Sequence, residues 1–147
     1  MAVALAIVAG ACHSGGDDTK AQSQGVLDVK PDEKPVCMQV TEDLPPEVTK
    51  LPVIDCTQPH THEIYATVVS TESVYPGVDA LGSFAQVKCL SAFQAFVGIS
   101  AFDSQLSYTW LVPTLKSWND HKDRSVLCVL ARRDGAPLVG SMRGQKV

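Results

Sequence analysis

The chain has 147 residues, of which 45% are hydrophobic and 19% charged, with a formal net charge of −4. One domain of ordinary size fits that length, and the composition is globular rather than disordered. The negative balance argues against a nucleic-acid binder or a polybasic membrane-surface protein, and no apolar run reaches the roughly 18 residues of a spanning helix.

The charge is unevenly placed. Residues 1–50 carry eight acids and four bases, whereas residues 51–147 carry eight of each. The excess negative charge therefore lies before a neutral core, as in a solvated linker. The five cysteines stand at positions 12, 37, 56, 89 and 128. Cys12 is set apart from the rest. The other four span a segment of domain size, which in an exported protein reads as two disulfides with three connectivities.

From the N-terminus, Ala2–Ala11 is a short apolar run ending in small residues, and Cys12 follows it directly. This is the chemistry of an export signal and its cleavage site, assigned to residues 1–11. The tetrapeptide Ala9-Gly10-Ala11-Cys12 resembles the bacterial lipobox. That resemblance implies diacylglycerol on the Cys12 sulfur, cleavage before it, and further acylation of the palmitate kind. Met1–Ala11 contains no Lys or Arg, so the true start codon is expected upstream. Residues 12–35 are rich in Gly, Ser, Asp, Gln and Lys, and form the expected lipid-anchored flexible linker, with a reach of up to ~80 Å. The domain proper is expected over residues 36–147.

Strand signals dominate that domain. Val36–Val40 and Leu51–Cys56 are short candidates, the second weakened by Pro52. His62–Val69 alternates most clearly, with Ile64, Ala66 and Val68 on one face and Glu63, Tyr65 and Thr67 on the other. Asp79–Val97 is the one strong helix. Asp79 and Ser83 are candidate N-caps, Cys89, Phe93, Phe96 and Val97 share a face, and Gly98 supplies a stop. Tyr108–Val112, Ser125–Leu130 and Leu138–Met142 read as further strands. The fold class is therefore α+β: a small mixed or antiparallel sheet of five to six strands, one main helix packed on it, and two disulfides.

Alternation and element order favour one connectivity. Cys89 lies on the core face of the helix, and Cys128 alternates with Val126 and Leu130 on one strand face. Packing the helix on that face brings these two sulfurs together, leaving Cys37 to pair with Cys56 between the first two strands.

Short pieces along the chain then carry a family resemblance. They are Val53–His60, Glu63–Ala66, Tyr75-Pro76-Gly77, the cysteine-bearing helix, Pro113-Thr114 with Ser117-Trp118, Asp123-Arg124, Val126–Cys128 and Leu138–Gly144. In this order, with the four cysteines in place, the segment Cys37–Gly144 resembles the septum-formation domain of actinobacterial exported and membrane proteins. His121-Lys122 departs from that pattern, which expects a glycine before Asp-Arg. The resemblance implies an extracytoplasmic, disulfide-bonded accessory or binding module linked to cell division or envelope growth, and no known catalytic residues.

The chemistry-bearing residues support a non-enzyme. No Gly-x-Ser-x-Gly, Ser-x-x-Lys or glycine-rich phosphate loop is present, and bridged cysteines cannot act as nucleophiles. No catalytic residue and no cofactor are expected. His60 and His62 form a His-x-His pair shortly after Cys56, with Asp55, Glu63 and His121 as further ligand types. A metal is not expected there, because Cys56 in a disulfide offers no thiolate and too few other ligands converge. Residues 118–124 read as a polar loop carrying Trp118 and Arg124. These are the candidate partner-binding residues, with Arg132, Arg133 and Arg143 as candidates for basic chemistry nearby. The opposing reading has Trp118 closing the core edge while Arg124 pairs with Asp120 or Asp123. The leading function is thus a module anchored to the cell membrane on its extracytoplasmic side, meeting envelope or division proteins. A small-ligand carrier of the envelope and a cell-wall hydrolase are the alternatives. The first would need a sizeable apolar pocket, the second clustered ionisable groups.

Overall fold

A computed structural model of the protein describes residues 29–42, 48 and 50–147. The expected export signal, Cys12 and the expected linker up to residue 28 lie outside the described residues. Five strands and two helices follow in chain order: β1 (Val36–Met38), β2 (Val53–Ile54), β3 (His62–Val69), α1 (Val78–Val97), β4 (Leu106–Leu111), α2 (Leu115–Asp120) and β5 (Ser125–Arg132). The strands form one sheet in the order β2-β1-β3-β5-β4, with every neighbouring pair antiparallel. The connection β3–α1–β4 crosses over one strand position, and β5 later fills the gap. Among the described residues, no helix is long and apolar enough to cross a membrane.

β5 lies between β3 and β4, and its alternation serves two cores. Val126, Cys128 and Leu130 face α1 and pack with Ala85, Cys89, Phe93 and Phe96. Leu127 and Val129 face the other way and pack with Val29, Met38, Leu51 and Ile64. Both faces are covered, so β5 reads as a continuous apolar run. Its two flanking partners keep it regular to Arg132, two residues beyond the expected end, and β4 likewise begins earlier, at Leu106.

The strict alternation expected of β3 does not hold. A register shift lies between Ile64 and Ala66. Such a bulge adds one residue to one strand and inverts the facing of everything after it. Ile64 therefore joins the core on the far face, while Tyr65, Ala66 and Val68 belong to the α1 side. The bulge allows Tyr65 to reach under α1. Its ring meets Phe93 edge-on at 5.7 Å, and its hydroxyl donates to the Cys89 carbonyl at 2.8 Å. Burial raises the Tyr65 pKa far above the phenol range, so this donor keeps its proton.

α1 begins one residue earlier than expected. Its N-cap is Gly77 (φ 93°), with no side-chain cap bond. Asp79 instead sits in the first turn, where its charge suits the helix dipole, and Ser83 is inside the helix, its hydroxyl donating to the Asp79 carbonyl at 3.1 Å. Gly98 ends the helix as expected, in the left-handed conformation (φ 87°) with its N–H bonded to the Gln94 carbonyl.

Both disulfides follow the expected pairing. Cys37–Cys56 and Cys89–Cys128 have Cα separations of 5.2 and 5.4 Å. The first ties β1 to the turn after β2; the second ties α1 to β5.

Three expected features differ. Residues 29–35, assigned to the linker, pack on the domain: Thr67 donates to the Val29 carbonyl at 2.8 Å, and Arg143 donates to that of Pro31 at 2.8 Å. The sixth strand at Leu138–Met142 is a single bridge, His60 to Leu138. Gly140 (φ 77°) turns the chain after it, and its N–H donates to the Cys56 carbonyl at 2.7 Å, so no ladder can continue. The polar loop at 118–124 begins as a helix, α2. Thr114 caps it by accepting from the Ser117 N–H at 3.0 Å.

The residue that departs from the family pattern has a backbone consequence. Lys122 has φ 57°, a left-handed conformation that favours glycine. Lys122→Gly should relieve a penalty of about 1 kcal/mol, reduced by the greater unfolded-state freedom of glycine. We expect a rise in melting temperature of a few degrees in a thermal scan.

Candidate functional site

The segment joining α2 to β5 and the segment joining β3 to α1 meet at one end of the sheet. Val69, the last residue of β3, pairs with Ser125, the first of β5, and Leu111 at the end of β4 pairs with Leu127. Arg124 binds these segments together. Its guanidinium carbon lies 3.7 Å from the Trp118 ring centroid. The same group donates to the Trp118 carbonyl at 2.9 Å, the Asp123 carbonyl at 3.0 Å, the Glu72 carbonyl at 3.2 Å and the Ser73 carbonyl at 3.4 Å. Only a planar fork can stack on an aromatic face and reach several carbonyls at once. Neither Asp120 nor Asp123 takes it through a carboxylate. Asp123 instead caps the start of β5, accepting from the Ser125 N–H at 3.0 Å, and Asp120 pairs with Lys116 at 3.3 Å across an exposed turn of α2.

Trp118 is 1% exposed. It lies on the inner side of α2, with the Tyr75 ring edge-on at 5.6 Å on one side and Arg124 on its face. Its indole thus presents no surface to a partner, contrary to the expectation of an anchor on an open loop. The sequence signal for this was the capped start of α2, Thr114 with Ser117 three residues on, which turns Trp118 inward.

The surface at this end is carried by other residues. Val69, Val74, Val78 and Leu115 are exposed at 60, 76, 61 and 55%. They belong to the end of β3, the connection to α1, the first turn of α1 and the first turn of α2. The Trp118–Arg124–Tyr75 contacts fix two of these segments, α2 and the connection to α1, to each other. No individual residue of this set stood out in the sequence, because the strands and helices had to be joined before they shared an end.

The other basic candidates do not gather here. Arg132 lies at the far end of β5 and pairs with Asp134 at 2.7 Å, holding that carboxyl well below its usual range. Arg133 donates to the Ala101 and Ser104 carbonyls at 2.8 and 3.1 Å. Arg143 lies over the Phe96 ring at 4.6 Å.

A second constellation lies at that far end, inside the domain. His60 and Glu63 are both fully buried. Glu63 accepts from the Ser141 hydroxyl at 2.5 Å and from the Met142 N–H at 2.8 Å. Burial raises its pKa, and those two donors pull the other way. His60 Nδ1 lies 2.8 Å from the Gln58 carbonyl. His62 is not part of this group; its Nδ1 meets the Thr61 hydroxyl at 2.8 Å, and partial burial lowers its pKa.

The family model described as septum formation matches residues 12–128. The chain belongs to the septum-formation family. The match begins at Cys12, upstream of the segment whose pieces carry the resemblance, and ends at Cys128, so Leu138–Gly144 lies beyond it. Membership links this septum-formation chain to cell division and the envelope. No curated protein and no solved structure matched the chain.

Proposed function

We propose that this septum-formation protein is an extracytoplasmic accessory module, anchored in the cell membrane by lipid on Cys12, which binds envelope or division proteins and catalyses no reaction. The observation that carries the binding role is the apolar end of the sheet, where Val69, Val74, Val78 and Leu115 are exposed on segments that the Trp118–Arg124 contact holds in place. Grouped exposed apolar residues on rigid elements are the usual material of an interaction surface.

Trp118 and Arg124 act in this reading as positioning residues behind the surface. A tether upstream of the domain raises the local concentration of a neighbouring partner, so modest affinity suffices. The reading of no catalysis is supported by the burial of His60 and Glu63, which keeps both from a polymeric wall substrate.

The address is tested by fractionation. Wild-type protein should sediment with membranes and resist salt extraction, because acyl chains hold through buried methylenes rather than charge. Cys12→Ala should move it to the soluble extracytoplasmic fraction or leave it as uncleaved precursor. Equal membrane retention of a processed Cys12→Ala protein would remove the lipid anchor from the account.

A further inference from the structure

The ligand atoms of Cys37, His60 and Glu63 lie within 4.8 Å of one another, and all three residues are buried. The hydrogen bonds around them leave one buried lone pair, on His60, without a donor among the described residues. The Gln58 carbonyl can only accept, so the ring proton of His60 sits on Nδ1. Nε2 then carries a lone pair. It is buried and has no hydrogen-bond partner among the described residues. Glu63 is also an acceptor, oriented by Ser141 and Met142. A backbone carbonyl on one histidine nitrogen and donors behind a carboxylate are how proteins orient ligands from the outer shell of a metal site. In the oxidised protein, the sulfurs beside them are locked in the Cys37–Cys56 bond and are poor ligands.

We propose that the Cys37–Cys56 disulfide masks a zinc site, which a dithiol reductant opens. The ligands are the Cys37 and Cys56 thiolates, His60 Nε2 and one Glu63 oxygen. Four such donors complete a tetrahedral Zn2+ shell.

The exchange balances as follows. One thiolate of the dithiol attacks Cys56, which is half-buried whereas Cys37 is fully buried, and the Cys37 thiolate leaves. The second thiolate of the reductant attacks the mixed disulfide, the Cys56 thiolate leaves, and the reductant becomes a cyclic disulfide. Two electrons pass to the protein sulfurs. The two thiol protons of the reductant end on Cys37 and Cys56, or go to solvent as Zn2+ binds both thiolates. Cys89 and Cys128 take no part, since both are fully buried in the α1 core and neither lies in the Cys37–His60–Glu63 group. This inference is independent of the partner-binding role.

The test uses the full chain carrying Cys12→Ser, oxidised or reduced with dithiothreitol and desalted without oxygen. Zn2+ is titrated against a chromophoric chelator, and Co2+ reports thiolate ligation through its charge-transfer and visible bands. Oxidised protein should bind no stoichiometric zinc. Reduced protein should bind one equivalent, at least about 100-fold more tightly. His60→Asn and Glu63→Gln should each weaken binding by about tenfold or more. Cys37→Ser with Cys56→Ser should abolish it. Where reduction unfolds the domain, added zinc should restore the native circular dichroism spectrum, as metal binding couples to folding. The proposal is overturned by reduced protein that binds zinc no better than oxidised protein, by full binding in the double serine variant, or by an unfolded reduced chain that zinc does not restore.

Discussion

Replacing Cys89 and Cys128 together with alanine should lower the unfolding free energy by about 4 kcal/mol. The bridge spans a sequence separation of 39, and closing a loop of that length restricts the unfolded chain by roughly that amount. Both residues are fully buried in the core between α1 and the sheet, so the vacated volume adds a cavity cost. Against a domain stability of about 5–15 kcal/mol, this is a large fraction. Urea unfolding of oxidised protein, followed by circular dichroism, is the measurement. The corresponding change at Cys37 and Cys56, with a separation of 19, should cost less, about 3 kcal/mol. A Cys89/Cys128 double variant within about 1 kcal/mol of wild type would mean that packing alone fixes α1 on β5.

Trp118→Ala should cost about 3–5 kcal/mol, the range for removing a fully buried aromatic side chain. The indole fills the space under α2, and its loss removes both the Tyr75 edge contact and the surface on which Arg124 stacks. Trp118→Phe should cost much less. It keeps an aromatic face, and it removes an indole N–H that is buried without a partner among the described residues. Thermal melts of the two variants and wild type should therefore rank with alanine far below and phenylalanine close. A Trp118→Ala protein as stable as wild type would place the indole at the surface, where it could serve as a contact residue.

How much of this could be read from the chain depends on the range of the cause. The span of β3, the heart of α1 and its Gly98 stop are set by residues within one or two turns of each other, and all were legible. The two disulfides were legible because Cys89 and Cys128 each lie on a face fixed by a local period. The inversion at Ile64 and Ala66 was not, since a bulge depends on which partner strand the chain meets. Leu138–Met142 has the apolar content of a strand, yet Gly140 bends it onto Cys56. The inward turn of Trp118 rests on a cap one helical turn long, easily read as loop. His60 and Glu63 were legible as ligand types beside Cys56, but the apolar end and the donors that hold Glu63 were hidden for a common reason. Their members come from segments up to about eighty positions apart, Glu63 and Met142 being the widest pair, and only the sheet order brings them together.

The central claim is that the end of the sheet framed by Trp118 and Arg124 is the binding surface. It is tested most directly by photocrosslinking in cells, with a photoreactive amino acid placed singly at Val74, Leu115, Val53 or Val139 of the full chain. All four side chains are exposed, so the substitutions should leave the core unaltered. Val74 and Leu115 belong to the proposed surface, whereas Val53 and Val139 lie toward the opposite end, near His62 and His60. The account predicts that Val74 and Leu115 capture the same envelope or division protein, identified by mass spectrometry, and that Val53 and Val139 do not. Capture of one partner from Val53 and Val139 alone, or equal capture from all four positions, would contradict it.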